Sequence, residues 1–335
     1  MKNVLFCLSV GLLISYSANA QDKTHSVVKT FHIQSPGGWD YIKVNDGKVY
    51  VTHSSQVNIL DAKTGDSLGV IPGTTGVHGI AFDNENGKGF TSNGRLDNVT
   101  VFDLKTNKII TQIPTGKNPD AIIYEPYLKR IITCNEKSND LTLIDPETNK
   151  VAGTISLEAK PEEAVSDGQG MLYVNLVELG EVGVIDLKTM KMIDRWNVSP
   201  GESPTGIDMD TKTHRIFSGC GDNKWLVVLD ANNGRKLAKL PIGEGCDGVV
   251  FDSEQGLIYA SCGEGVITVI KEVSADEFKV VETITTKPRA RTIGLDPKTH
   301  ALYLPTAEFE PGDLKDGSRA RGTMKPGTFQ VLMIQ

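Results

Sequence analysis

Seven polar residues recur at near-constant spacing along this chain: Asp40, His78, Asp120, Glu163, Thr205, Asp247 and Arg291. Each stands just before a short run of apolar or small residues. Brought to one place, four carboxylates, an imidazole, a hydroxyl and a guanidinium would have definite chemistry. Crowded carboxylates raise one another's pKa unless a cation intervenes. Oxygen ligands suit a hard cation such as Ca²⁺ or Mg²⁺, which makes Asp40, Asp120, Glu163 and Asp247 the expected metal set. A carboxylate beside His78 would also form a general acid–base pair. The bland alternative is a hydrated polar opening in which the acids pair with Arg291 and nearby backbone.

Their convergence depends on the elements that carry them. An apolar residue followed by an acid recurs at Leu60-Asp61, Phe102-Asp103, Ile144-Asp145, Ile185-Asp186 and Leu229-Asp230. Thr64, Thr106, Thr148 and Thr189 follow the first four, and Asn233 the fifth. The acids lie 42, 42, 41 and 44 residues apart, and a fixed period of this length marks a repeat architecture. Within the third repeat, strands are expected over 120–124, 130–134, 141–145 and 150–155, separated by turns rich in Gly, Asn, Asp and Pro. No stretch sustains a 3.6-residue period, so helix should be scarce. The repeated Asp ends a strand, where its carboxylate can accept backbone N–H groups of the following turn. That role is structural.

Seven such units fit the chain, their first strands starting near Tyr41, Gly79, Ala121, Ala164, Gly206, Gly248 and Thr292. The last unit, ending in 328–334, lacks a fourth strand. Residues 26–33 have strand character and precede the first unit, so they can supply it and leave no open edge. The expected fold is all-β: a seven-bladed β-propeller of four-stranded antiparallel blades, closed by the N-terminal strand. Residues preceding the inner strands would then rim a central funnel. The repeat, with Val101 to Lys108 and Thr111 to Gly116 as its clearest copy, resembles the YVTN-repeat propellers. The whole exported chain is similar to YncE-like propellers, and the tail segments 303–309 and 326–332 match that family's last blade. The resemblance implies the fold. It also brings to mind DNA-binding and surface-layer members, and metal-dependent lyases among related propellers. Fold does not choose among these.

A second polar column on the same face comprises His53, Asn93, Asn135, Asn175, Cys220, Cys262 and Thr306. It suits either a hydrogen-bonding ligand or close blade packing. An insertion at 310–322 could lie over the funnel as a lid, bringing Arg319, Arg321 and Lys325 to an anionic ligand. Trp39 and Trp225 could stack on a sugar or base, or simply pack. His214 and His300 fall in turns on the opposite face and read as solvated. Gly243 to Gly248 spells GxGxxG, but a strand and not a helix should follow, so no dinucleotide site is expected.

The first twenty residues read as an export signal: Lys2, an apolar stretch from Val4 to Tyr16, and Ala18-Asn19-Ala20, with cleavage after Ala20. Residues 21–335 would form one propeller domain, periplasmic or secreted, without a membrane span and monomeric. The net charge of −7 works against a nucleic-acid phosphate backbone as partner. Cys134, Cys220, Cys246 and Cys262 form no CxxC motif. Export would permit a disulfide among them, with pairing left open. The first function expected is non-enzymatic recognition of a small molecule or protein at the funnel face. The alternatives are a metal-assisted lyase or hydrolase at the acidic mouth, and nucleic-acid binding as in some members of the similar family.

Overall fold

The computed structural model describes residues 24–310, 314–315, 318–319 and 322–335, the two short pairs as backbone strands only. The expected export signal lies outside these residues, as do Arg321 and the side chain of Arg319. Seven four-stranded antiparallel sheets surround an axis. There is no helix among the described residues.

Blade three shows how the repeat builds a sheet. Its strands run Pro119–Glu125, Arg130–Asn135, Asp140–Asp145 and Lys150–Ser156, paired in that order. The aliphatic residues of the middle strands are buried on both faces, as Ile131, Ile132, Leu141 and Leu143 are, because each blade is covered by a blade on either side. The core therefore lies between blades. Tyr50, Ile59 and Ile71 of blade one meet Ile80 and Phe102 of blade two in one such layer.

The repeated acids take the role expected of them. Asp103 accepts the Lys105 and Thr106 N–H groups at 3.1 and 2.7 Å and the Thr106 hydroxyl at 2.8 Å. Asp61, Asp145 and Asp186 accept the equivalent N–H groups, and Asp230 that of Asn232. These bonds favour the charged form and hold the Asp61, Asp103 and Asp186 carboxyls below their ordinary range.

The ring closes as the strand count requires. Val27–His32 is the outermost strand of blade seven, antiparallel to Gln330–Ile334, with Thr30 opposite Leu332 and His32 opposite Gln330. Phe31 is buried and lies against Tyr303, ring centres 6.3 Å apart.

Near the axis some inner strands approach so closely that blades two, five and six carry glycine at one position. A Cβ on Gly206 would stand 2.6 Å from the Val249 nitrogen, and one on Gly79 2.8 Å from the Ile122 side chain. Inner strands begin at Trp39, Val77, Pro119, Pro161, Pro204 and Cys246, two or three residues earlier than the sequence suggested, and at Gly294 in blade seven.

Candidate functional site

Each of the first six inner strands carries a β-bulge at its start. In blade three Pro119 faces Asn135, yet the next partners are Ile122 and Thr133. Three residues on the inner strand thus span two on its neighbour. The same irregularity occurs at Trp39/Ile42, Val77/Ile80, Pro161/Ala164, Pro204/Ile207 and Cys246/Gly248. A bulge re-aims the side chains within it. Here it frees one residue per blade from the sheet.

Register identifies that residue as the second of each inner strand: Asp40, His78, Asp120, Thr205 and Asp247, with Arg291 in blade seven. In blade four it is Glu162 and not Glu163. Pro161 opposes Leu176 as Pro119 opposes Asn135, and Ala164 takes the place of Ile122. Glu163 instead occupies the slot filled by Gly79, Gly206 and Gly248 elsewhere. Side chains there enter the gap between blades. Glu163 accepts the Ile207 N–H at 3.2 Å with Lys43 Nζ at 3.9 Å, just as the Thr292 hydroxyl donates to the Asp40 carbonyl at 2.6 Å. Burial pushes the Glu163 carboxyl up to about 7, against the opposing pull of Lys43. Burial likewise pushes Asp208, whose carboxylate accepts the Phe251 N–H at 2.7 Å, up to about 6.

The remaining ring residues do converge. His78 Nδ1 lies 2.6 Å from Asp40 Oδ2 and 3.3 Å from Asp120 Oδ1. Arg291 bridges the other side, its Nε 3.1 Å from Asp247 and an Nη 3.8 Å from Asp40 Oδ1. Beyond Asp120, Glu162 and Glu136 close a second acidic group. Lys160 offsets part of its charge, 2.7 Å from Glu136 and 3.5 Å from Glu162, and the Asn118 amide donates to Glu136 at 2.6 Å. Thr205 faces away from this chemistry, its hydroxyl bonded to the Cys246 carbonyl at 2.5 Å. Of the four acids expected to hold a metal, only Asp40 and Asp120 share a cluster, and His78 joins them. Asp247 is committed to Arg291.

Desolvation dominates the electrostatics. Asp120, 6 % exposed, has its carboxyl raised well above the usual range, first by burial and then by Asp40, Glu162, Glu136 and Asp247. Glu162 is pushed up to about 7, burial outweighing Lys160. Burial also raises Asp247, although Arg291 opposes it. Two cavities of about 730 and 720 Å³ lie elsewhere, one near Asp46, Asn84 and Lys298, the other near His25, Lys271 and His300. Neither touches the ring. Convergent ligand atoms are the stronger sign of a site than volume, because both cavities are open grooves with dispersed polar groups.

The second column does not line the funnel. Asn93, Asn135, Asn175, Cys220, Cys262, Thr306 and His53 are all buried. Asn175 donates to the Thr205 and Gly206 carbonyls of the next blade at 2.8 and 3.1 Å, and the His53 ring bonds Ser35 and the Gly37 carbonyl. Asn175 thus ties two blades together, whereas Asn93 and Asn135 donate within their own blades, to Asn98 and Thr100 and to Asp140 and Thr142. Trp39 packs against Phe329 and Phe309. Trp225 is half-buried with Lys239 Nζ 5.0 Å from its ring centre. Of the expected lid, Lys325 is paired at 3.8 Å with Glu310. His300 is not merely solvated: its Nδ1 is 2.6 Å from Asp252. The GxGxxG segment leads into strand Cys246–Asp252, as expected. Cys134, Cys220, Cys246 and Cys262 are buried free thiols.

Glu162, Glu136 and Lys160 were not singled out in the sequence. Aligning blades on Pro119, Pro161 and Pro204 would have found Glu162. Glu136 and Lys160 sit in loops outside the repeat and carry no periodic signal.

A family model for YncE-like β-propellers matches residues 70–293. No curated protein matches this chain. Among solved structures, hydrazine synthase of Kuenenia stuttgartiensis superposes with a TM-score of 0.72 at 15% identity, covering 82% of this chain and 94% of that one. The WD40 repeats of RRP9 superpose with a TM-score of 0.75 at 10% identity, covering 92% and 98%. At such identities the likeness is one of fold.

Proposed function

The chain belongs to the YncE-like β-propeller family, and from that premise we propose that it is an extracytoplasmic, non-enzymatic recognition module that takes a small cationic ligand at its funnel mouth. The observation that supports this most is the gathering of Asp40, Asp120, Glu162 and Asp247 in one partly desolvated mouth. Ionisable groups perturbed by burial and by one another concentrate at functional sites. Two resident cations, Arg291 and Lys160, offset part of the negative charge and leave Asp120 least compensated. A cation entering there replaces repulsion with attraction. A phosphate backbone would meet the opposite field, which disfavours nucleic acid at this face.

Thermal-shift measurements with Ca²⁺, Zn²⁺, ethanolamine and spermidine test the reading. At least one of these raises the unfolding temperature of the wild-type chain, and the Asp120→Asn/Asp247→Asn double variant abolishes the shift. No stabilisation by any probe, or stabilisation that survives the double variant, removes the reading. The close Asp40–His78 pair favours a second reading, acid–base chemistry on a bound ligand. Hydrolysis of p-nitrophenyl acetate that disappears in His78→Gln would support it, and a rate equal in both proteins would end it.

A further inference from the structure

We propose that Asp40, His78 and Asp120 form a binding site for a first-row divalent metal ion, with Zn²⁺ as its best probe. This deepens the cationic-ligand reading and rests on it. One acceptor atom from each residue lies within 4.8 Å of the others. Three observations mark the group as more than an acidic cluster.

The first is an unmet oxygen. Asp120 Oδ1 is buried and accepts no hydrogen bond. His78 Nδ1 is 3.3 Å away, but its single proton serves Asp40 at 2.6 Å. A buried carboxylate oxygen without a partner costs free energy unless something supplies positive charge. Asp120 is aimed into the space between Asp40 and His78, which is where that charge would sit.

The second is dimension. Tetrahedral Zn²⁺ with bonds near 2.0–2.2 Å sets its ligand atoms about 3.3 Å apart. The His78–Asp120 separation of 3.3 Å already meets that value. The His78–Asp40 contact of 2.6 Å must open by about 0.7 Å, within reach of a carboxylate rotation. Arg291 approaches Asp40 through Oδ1 and leaves Oδ2 for the ion. The side chains of His78 and Asp40 are 29% and 19% exposed, so an entry path exists and water can complete the coordination.

The third is a fitted seat for the imidazole. A Cβ on Gly94 would stand 2.7 Å from His78 Cδ2 and Nε2. Glycine at 94 makes room for the ring, whose Nδ1 faces the two carboxylates. On metal binding the Nδ1 proton is given up, the ring carrying its hydrogen on Nε2 instead, and the Nδ1 lone pair becomes the ligand. A nitrogen ligand shifts preference away from Ca²⁺ and Mg²⁺, the ions expected from an all-oxygen set, toward metals that bind imidazole. The neighbouring Glu136–Glu162 group does not compete, since Lys160 already occupies it.

Calorimetric titration of the full chain with Zn²⁺ alone, and separately with Ca²⁺, tests this. The expected result is one Zn²⁺ per chain, with Ca²⁺ binding far more weakly. Both His78→Gln and Asp120→Asn weaken Zn²⁺ binding by at least about 100-fold, more than the loss of an outer-sphere partner. His300→Gln, which removes a histidine on the opposite face, leaves it unchanged. Gly94→Ala keeps all three ligands but displaces the ring and costs at least about 10-fold. Circular dichroism of each variant establishes that the blades are intact. No heat with Zn²⁺, binding that survives His78→Gln, or Ca²⁺ bound as tightly as Zn²⁺ overturns the proposal. Amine stabilisation without Zn²⁺ binding would overturn it while leaving the cationic-ligand reading intact.

Discussion

Replacing Glu163 by Gln should make the protein's stability respond differently to pH, by an amount the structure allows to be worked out. Glu163 is 8 % exposed, in the gap between blades four and five. Burial raises its carboxyl from 4.5 to about 7 even with Lys43 nearby. The neutral acid is therefore the form that suits the folded state. For a raised pKa the associated stability is present below the unfolded value and is lost as pH climbs through the folded one. Between pH 5 and pH 8 the loss amounts to about 2–3 kcal/mol. Gln mimics the neutral acid at every pH. Relative to wild type, Glu163→Gln should gain about 2–3 kcal/mol on going from pH 5 to pH 8. Guanidinium denaturation of both proteins at both pH values measures this. The double difference cancels the titrating groups that do not sense Glu163; Lys43, Asp208 and Asp247 do sense it and stay in the sum. A double difference near zero, or of opposite sign, would refute the assignment of Glu163 to the buried slot.

Three further outcomes follow from the packing. Phe31→Ala should cost about 3–5 kcal/mol in a denaturation experiment, because the N-terminal strand is part of the last blade. A cost typical of a surface position, below about 0.5 kcal/mol, would contradict the ring closure. Gly206→Ala should destabilise by about 1–3 kcal/mol through overpacking against the Val249 backbone, read as a lowered denaturation midpoint; an unchanged midpoint contradicts the close approach. The thiols of Cys134, Cys220, Cys246 and Cys262 should resist Ellman's reagent in the native protein at pH 8 and react on unfolding. Burial pushes Cys220 up to about 12 and raises Cys134 well above the ordinary value, and rapid native labelling would show that the blades open.

The fold was legible because its signals are local. An Asp at a strand end followed by Thr three residues on is turn chemistry, and it repeats wherever the turn does. The closing strand was legible by counting: a seventh unit short of one strand and a spare strand at the other end have one economical solution. The mouth was less so. In blade four, Glu162 and Glu163 stand in tandem inside a bulge, and Ala164 imitates Ala121 although register equates it with Ile122. The prolines at 119, 161 and 204 carry the true register, but the match of Ala164 to Ala121 hides it, so the column slipped by one. Glu136 and Lys160 come from loops that no period constrains. His78 illustrates a different limit. Its place in the column was plain, but its role beside two carboxylates depends on the missing Cβ at Gly94, a contact between the inner strand and the turn after Lys88–Asn93 that only coordinates reveal. Asn135 and its counterpart Asn93 misled in the other direction, being polar and regularly spaced because each bonds the neighbouring strand of its own blade.

Anomalous diffraction tests the central claim most directly. Crystals of the full chain grown with Zn²⁺ and measured on either side of the zinc edge should show one strong peak within about 2.2 Å of His78 Nδ1 and of a carboxylate oxygen from each of Asp40 and Asp120. A funnel mouth without such a peak, or zinc bound only at His300 or the Lys160 group, would contradict it.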